Sequence, residues 1–365
     1  MAVKVLVIVC VLALFASSVL AAGTRGNLLS LIQVYRHGER APVSFYPTDP
    51  YQDFKYWNTT EGQLTNRGKR QHFELGQYTR ARYGNFIPKN YSNENFLVQS
   101  TSVDRTLMSA ASNLAGLYPP VGYQEWLSDF RWQPIPIFQA EEAVIGSFQG
   151  CPAYNEQLTQ VLTTNEYFTN IQAENQEIIP YLSKHSGMNI TSILEAYSIW
   201  DALHIENLQG FALPEWTNAV FPEPLTTLGT LLFLGSSYTE ELKVITTGPF
   251  FNELIQHFEA ISEDPSSVQK HRQFSGHDIN IACLLNSLGA YNPVHAPGFA
   301  STIYFELREG PRQNYINMYY SNSAGAPPEP ISLAGCGFNC NLRDFKNILR
   351  NRTITPDEWN ELCNA

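Results

Sequence analysis

The chain is poor in charge, and poorest in positive charge. Only 16% of its 365 residues are charged, and 23 Lys and Arg face 34 Asp and Glu, a formal net charge of −11. That balance lacks the basic stripe by which proteins hold nucleic acid or anionic membrane, so neither is expected as a main partner. A small anionic substrate in a local cationic pocket is still compatible with it. The sequence also lacks a Gly-x-Ser-x-Gly nucleophile elbow, a His-Glu-x-x-His zinc helix and a Gly-rich phosphate loop ending in Lys. Cysteines are few, six in all, and no histidines stand at ligand spacing beside them, so a zinc site is not expected. There is no internal repeat and no low-complexity tract. What remains is 44% hydrophobic, enough to bury a sizeable core in one large domain or two moderate ones.

Residues 1–22 have the three parts of a secretory leader: Lys4 as the basic start, the apolar run Val5 to Phe15, and small residues at Val19-Leu20-Ala21-Ala22. Their 18 uncharged residues approach the roughly 20 of a membrane anchor, which is the competing reading. No later apolar stretch is long enough to span, so the mature chain is expected to carry no membrane span. Its net charge would be −12, from 22 basic and 34 acidic side chains. A secreted or extracellular product is expected, with the lysosomal lumen as the other destination. Glycosylation sequons at Asn58, Asn90, Asn189 and Asn351 agree with that compartment. With Cys10 in the leader, five cysteines remain, so at least one thiol is unpaired or pairs with another chain. Cys336 and Cys340 are close enough to close a small loop. Cys151 with Cys363 would be a long-range staple, and Cys283, in an apolar helix-like run, is the candidate free thiol.

Leu28 to Tyr35 reads as a short strand that ends in Arg36-His37-Gly38. Thr65 can cap a helix to about Tyr83. Phe96-Leu97-Val98 reads as a second strand, followed by a helix through about Leu117. Strands alternating with helices predict an α/β fold with parallel strands. From Cys151 to Leu242 the pattern turns helical, and alternation returns with β segments at Ser301 to Leu307 and Tyr315 to Tyr320. The expected organisation is an α/β catalytic domain from residues 23–150 and 243–365, with a smaller helical insert at 151–242.

The chemistry centres on Arg36-His37-Gly38-Glu39-Arg40-Ala41-Pro42. A histidine flanked by arginines directly after a strand sits where open α/β sheets place their ligands. Two guanidinium forks could grip phosphate oxygens in bidentate fashion. Gly38 would let the backbone approach a ligand or adopt positive φ. An isolated Arg-His pair would more often be a solvated basic turn.

This segment resembles the signature Arg-His-Gly-x-Arg-x-Pro of the histidine phosphatase superfamily, in its acid phosphatase branch. Leu64-Thr65 with Gly68, Ser100-Thr101-x-Val103-Asp104-Arg105-Thr106, Trp132-Gln133-Pro134-Ile135-Pro136, Gly276-His277-Asp278, the Cys336/Cys340 pair and Trp359…Cys363 follow in the family's order. The resemblance implies a mixed, mostly parallel sheet flanked by helices, similar to phosphoglycerate mutase, with a helical insert over its active edge. It implies His37 as the nucleophile, Asp278 as the proton donor to the leaving alcohol, and Arg36, Arg40, Arg105 and His277 as the phosphate-binding groups. No metal or organic cofactor is then required, because arginines supply the stabilising charge. The partners implied are small phosphate monoesters, phosphoproteins among them, and the oligomer implied is a homodimer.

A histidine with an unperturbed pKa of about 6.5 would be only about 3% neutral at pH 5, so the nucleophile's pKa must be lowered. Three nearby arginines would supply that shift, and about 1.5 units corresponds to roughly 2 kcal/mol. Arg105 could instead pair with Asp104 or Glu39, and Asp278 could merely cap a helix. His72, His185, His204, His257, His271 and His295 lack motif context and read as structural or surface residues. Two departures from the family stand out. Gln269 to Gln273 reads Gln-Lys-His-Arg-Gln where relatives are apolar, which predicts a strand that is shifted, weaker or nearer an edge. A further disulfide of many relatives has no cysteines here, near His204 and Ser301. The expected activity is that of a phosphomonoesterase of broad range. The alternatives are a phytase-like inositol phosphate phosphatase, or a weakly active relative serving as an anion-binding effector.

Overall fold

A computed structural model describes residues 26–364; the expected leader at 1–22 lies outside them. The helices in chain order are α1 (Phe54–Trp57), α2 (Asn66–Tyr83), α3 (Asp104–Leu117), α4 (Pro152–Thr164), α5 (Glu166–Glu174), α6 (Ile178–Ser186), α7 (Ile193–Gln209), α8 (Leu225–Gly235), α9 (Glu240–Glu263), α10 (Asp278–Leu288), α11 (Leu342–Leu349) and α12 (Pro356–Asn364). The strands are β1 (Leu28–Arg36), β2 (Phe96–Ser100), β3 (Phe138–Gln139), β4 (His271–Gly276), β5 (Thr302–Arg308), β6 (Tyr315–Ser321), β7 (Glu329–Ile331) and β8 (Cys340–Asn341). They form one sheet in the order β3-β2-β4-β1-β5-β6-β7, with β8 paired to β6. The half from β3 to β1 is parallel; the half from β5 onward is antiparallel. The parallel arrangement expected from the sequence therefore holds for the half that carries the site, and the sheet as a whole is mixed.

Alternation along β1 explains the layering, because successive side chains point to opposite faces. Ile32 and Val34 enter a large core with Phe274, Phe305 and residues of α4, α9, α10 and α11. Leu31 enters a second core on the opposite face, with Phe96, Ala110, Leu114 and Tyr304. Buried on both faces, β1 needs near-continuous apolar sequence, which is what Leu28 to Tyr35 supplies. The N-terminus of α2 is fixed by Thr65, whose Oγ1 accepts from the Gly68 amide at 3.1 Å.

The polar run at 269–273 is the main correction to the sequence reading. β4 lies at the centre of the sheet, parallel to both β1 and β2, in unbroken register, and all of its residues are buried. It is neither shifted nor at an edge, because its polar groups find partners on the neighbouring strands. His271 Nε2 meets Gln33 Oε1 at 2.8 Å, and Gln273 Nε2 donates to the same oxygen at 3.0 Å. Arg272 donates to Gln99 at 2.7 Å and pairs with Glu253 of α9.

Both expected disulfides are formed, Cys151–Cys363 and Cys336–Cys340, and Cys283 is a buried free thiol. Of the four sequon asparagines, Asn58, Asn189 and Asn351 are exposed. Asn90 is half-buried and commits its Nδ2, the atom a glycan would join, to the Val121 carbonyl. No helix among the described residues is long and apolar enough to cross a membrane.

Candidate active site

The site forms where three parallel strands end together. Arg36, the last residue of β1, is in register with Gly276, the last of β4, and Ser100 of β2 with Ser275. Arg36-His37 and His277-Asp278 therefore leave the sheet side by side, and the turn after β2 brings in Arg105 from the first turn of α3.

His37 is buried, and its backbone is held from both sides: its amide donates to the Gly276 carbonyl at 2.9 Å and its carbonyl accepts from Ala300 at 3.1 Å. Its Nδ1 lies 2.8 Å from the Gly38 carbonyl. A carbonyl can only accept, so Nδ1 carries the proton and Nε2 keeps a lone pair. The imidazole's pKa is held well below its ordinary value, chiefly by burial, then by Arg36, Arg105 and Arg40. The arginines expected to do this act second; burial, which the sequence does not reveal, acts first.

Gly38 does not have positive φ, and the close approach it permits is to protein rather than ligand. A Cβ there would stand 2.3 Å from the Gly68 carbonyl oxygen, and one on Gly68 2.1 Å from that of Glu39. Two glycines thus let the motif lie directly on the start of α2. Glu39 is buried beside them. It accepts from Thr65 at 3.0 Å and Gln209 at 2.5 Å, and pairs with Arg67 at 3.2 Å.

Arg36 and Arg40 are oriented in part by groups the motifs do not announce. Arg36 pairs with Asp278 at 2.8 Å, donates to the Pro297 carbonyl at 2.5 Å, and lies over the Phe299 ring at 4.1 Å. Arg40 makes a bidentate pair with Asp201 of α7, at 2.9 and 3.0 Å. Arg105 pairs with neither Asp104 nor Glu39 and makes no ion pair among the described residues; its Nη2 lies 3.4 Å from His277 Nδ1. Burial and the cations Arg40 and Arg36 push its pKa down to about 10, although Asp278 and Asp201 oppose them. Arg36, Arg40 and Arg105 each keep a buried Nε–H without an acceptor. An oxyanion with several acceptor oxygens matches that set of donors.

His277, not Asp278, is the N-cap residue of α10; its amide donates to Asn280 Oδ1 at 2.9 Å. Because Arg105 can only donate, His277 Nδ1 accepts, and Nε2–H donates to Thr101 Oγ1 at 3.0 Å. Burial, with Arg105, holds its pKa down to about 4, so the ring is neutral. Asp278 is pushed up by burial but pulled further down by Arg36, Arg40 and His277, so it lies below the usual carboxylate range. The structure therefore brings all six predicted site residues together.

Sequence reasoning missed Asp201, Thr101 and Phe299. Thr101 lay inside a quoted motif and could have been found there. Asp201 and Phe299 carried no local signal. Of the other histidines, His72 is buried and binds the Arg36 carbonyl through Nε2 at 3.0 Å, while His257 meets Ser30 at 2.9 Å. No group of acidic, His or Cys side chains among the described residues is arranged to hold a metal.

Three guanidinium groups around a neutral, singly tautomeric imidazole, at the carboxyl ends of parallel strands, form an arrangement that can hold a phosphoryl group or similar oxyanion. The chain belongs to branch 2 of the histidine phosphatase superfamily, whose family model matches residues 27–321. Lysosomal acid phosphatase of Xenopus laevis is 34% identical over 366 residues, covering 98% of this chain and 83% of that protein. Prostatic acid phosphatase of Homo sapiens is 33% identical over 341 residues, covering 90% and 86%. Among solved structures, the apo form of Hafnia alvei phytase superposes with a TM-score of 0.68 at 17% identity, over 94% of this chain and 99% of that one. The protein is an enzyme of the acid phosphatase class.

Proposed function

We propose that the protein hydrolyses phosphate monoesters through a phosphohistidine on His37 Nε2. The observation that carries this reading is the Nδ1–H bond to Gly38, which leaves Nε2 free inside the arginine cluster. Nε2 attacks phosphorus as the ester P–O bond breaks, with Arg36, Arg40, Arg105 and His277 holding the equatorial oxygens. Asp278 gives its proton to the departing alkoxide, then takes one from the water that cleaves the P–N bond.

Asp278 starts this cycle ion-paired with Arg36. An arriving phosphate competes for that guanidinium and brings negative charge beside the carboxylate, and both effects raise the carboxyl's affinity for a proton. Below about pH 6 the ester itself is monoanionic and can deliver that proton.

The helical segment 151–242, which contributes Asp201, would act as the selective wall over the site. A broad monoester range, phosphoproteins included, is favoured over phytase-like specificity. The product would be secreted or lumenal, and a homodimer would use the exposed aromatic surface of Tyr123, Trp126, Phe130, Trp132 and the edge-strand residue Phe138. The test is a paired assay of wild type and His37→Ala on several phosphate esters, phytate among them, between pH 4 and 8. Equal turnover by the two proteins would remove the mechanism. Activity should survive EDTA and be blocked by tartrate or vanadate.

A further inference from the structure

We infer that Asp201 of α7 is a positioning residue for phosphate binding, selecting the edge of the Arg40 guanidinium that faces the substrate. The inference rests on the clamp role proposed for Arg40. Both Asp201 oxygens are used, at 2.9 and 3.0 Å from Nη1 and Nη2, and both partners are buried, at 2% and 4% exposure. Nη1 also donates to the Ala41 carbonyl at 3.3 Å. Nη1 thereby has both of its hydrogens committed to protein, while the second Nη2 hydrogen and the unpaired Nε–H share the one edge that stays available. An arginine forked on a carboxylate in this way has one orientation, whereas a free guanidinium could offer any of its edges.

Asp201 also has an electrostatic part. Arg40 lies within reach of the Asp278 charge as well as that of Asp201. Without its own partner, Arg40 would be drawn to Asp278, which Arg36 already holds, and the proposed acid would be further from its protonated form. The groups that feel the Asp201 charge are Arg40, Arg105 from α3, and Tyr197 and His204 from α7 itself. The pair joins α7 to the catalytic motif across 161 positions of sequence. Two further contacts parallel it: Gln209 donates to Glu39, and Arg67 donates to the Leu208 carbonyl at 2.9 Å.

The experiment is a double-mutant cycle of Asp201→Asn and Arg40→Gln, read by kcat, KM, the inhibition constant of inorganic phosphate and the pH profile. Asp201→Asn alone should lower kcat/KM by roughly 10- to 100-fold, the scale of a misplaced catalytic group. It should weaken phosphate inhibition and move the profile toward acid, because removing an anion favours the deprotonated forms of its neighbours. In the Arg40→Gln background the same change should have little further effect. Asp201→Glu should keep the wild-type profile while losing kcat/KM, and it replaces Asp201→Asn in the cycle if the latter does not fold. A wild-type phosphate inhibition constant and profile in Asp201→Asn, or an undiminished loss in the Arg40→Gln background, would overturn the inference. Since phosphate inhibition measures binding, it judges the pair even if His37→Ala shows that no phosphohistidine forms.

Discussion

Nη2 of Arg36 stands 2.8 Å from Oδ2 of Asp278, so the proposed acid is ion-paired with a proposed phosphate ligand. In the proposed mechanism, this pair would let Asp278 donate a proton only once substrate has entered. Replacing it with Asn should therefore hurt esters with poor leaving groups most. We expect a loss of about 10²- to 10⁴-fold in kcat on alkyl phosphates and a much smaller loss on p-nitrophenyl phosphate, whose phenolate needs little protonation. Equal losses on both substrates would show that Asp278 does not protonate the leaving oxygen.

His37 should remain neutral throughout the acid range. Burial first, and the three arginines second, hold its pKa well below 6.5. An NMR titration of the histidine ring resonances, assigned through His37→Ala, should show no protonation of His37 between pH 7 and 5. A midpoint near or above 6.5 would contradict the site's electrostatics.

Stability should peak in the mildly acid region, bounded by different groups on its two sides. Glu206 of α7 is fully buried, its oxygens lack good partners, and burial with the neighbouring charge of Asp49 pushes its pKa up to about 9. The native state then binds more protons than the unfolded chain above about pH 4.5, so stability falls as pH rises toward 9. His257 and His271, both held down to about 3 chiefly by burial, act with the opposite sign. They stay neutral in the fold, so stability falls as pH drops below about 6.5. Glu206→Gln should flatten the alkaline limb of Tm against pH and leave the fall below about pH 4.5 unchanged. An unaltered alkaline limb would count against the burial of an ionisable Glu206.

Gln33 should be the keystone of the polar centre of the sheet. Its Oε1 meets both His271 and Gln273, and its Nε2 donates to Thr79 at 3.1 Å. Gln33→Leu would leave those groups buried without their partner. A loss of about 1–3 kcal/mol for each orphaned group is expected in denaturant unfolding. A stability change below about 0.5 kcal/mol would mean that the ladder contributes little.

Most of the site was legible in the sequence because its parts sit within two short segments, 36–40 and 277–278, plus Arg105. Each follows a strand end, and chain order alone delivers them to adjacent positions. Asp201 was not legible. An aspartate between Trp200 and Ala202 in a helical stretch has no local pattern that separates a buried ion-pair partner from a solvated residue. The polar strand misled for a related reason. Gln33 and His271 are 238 positions apart, and only the register of β1 against β4 shows that each satisfies the other. Burial of His37 escaped as well, since its enclosure comes from Ala300 and Phe299 on a distant loop.

The bridge between Cys151 and Cys363 bears on how the molecule is made. During translation, the cysteine that precedes α4 leaves the ribosome 212 residues ahead of its covalent partner. The helices that follow it, including the one bearing Asp201, must assemble without that tether or wait for α12. Oxidation at this position is therefore a late event. A pulse-labelled chain should acquire its native electrophoretic mobility only after Cys363 has left the ribosome.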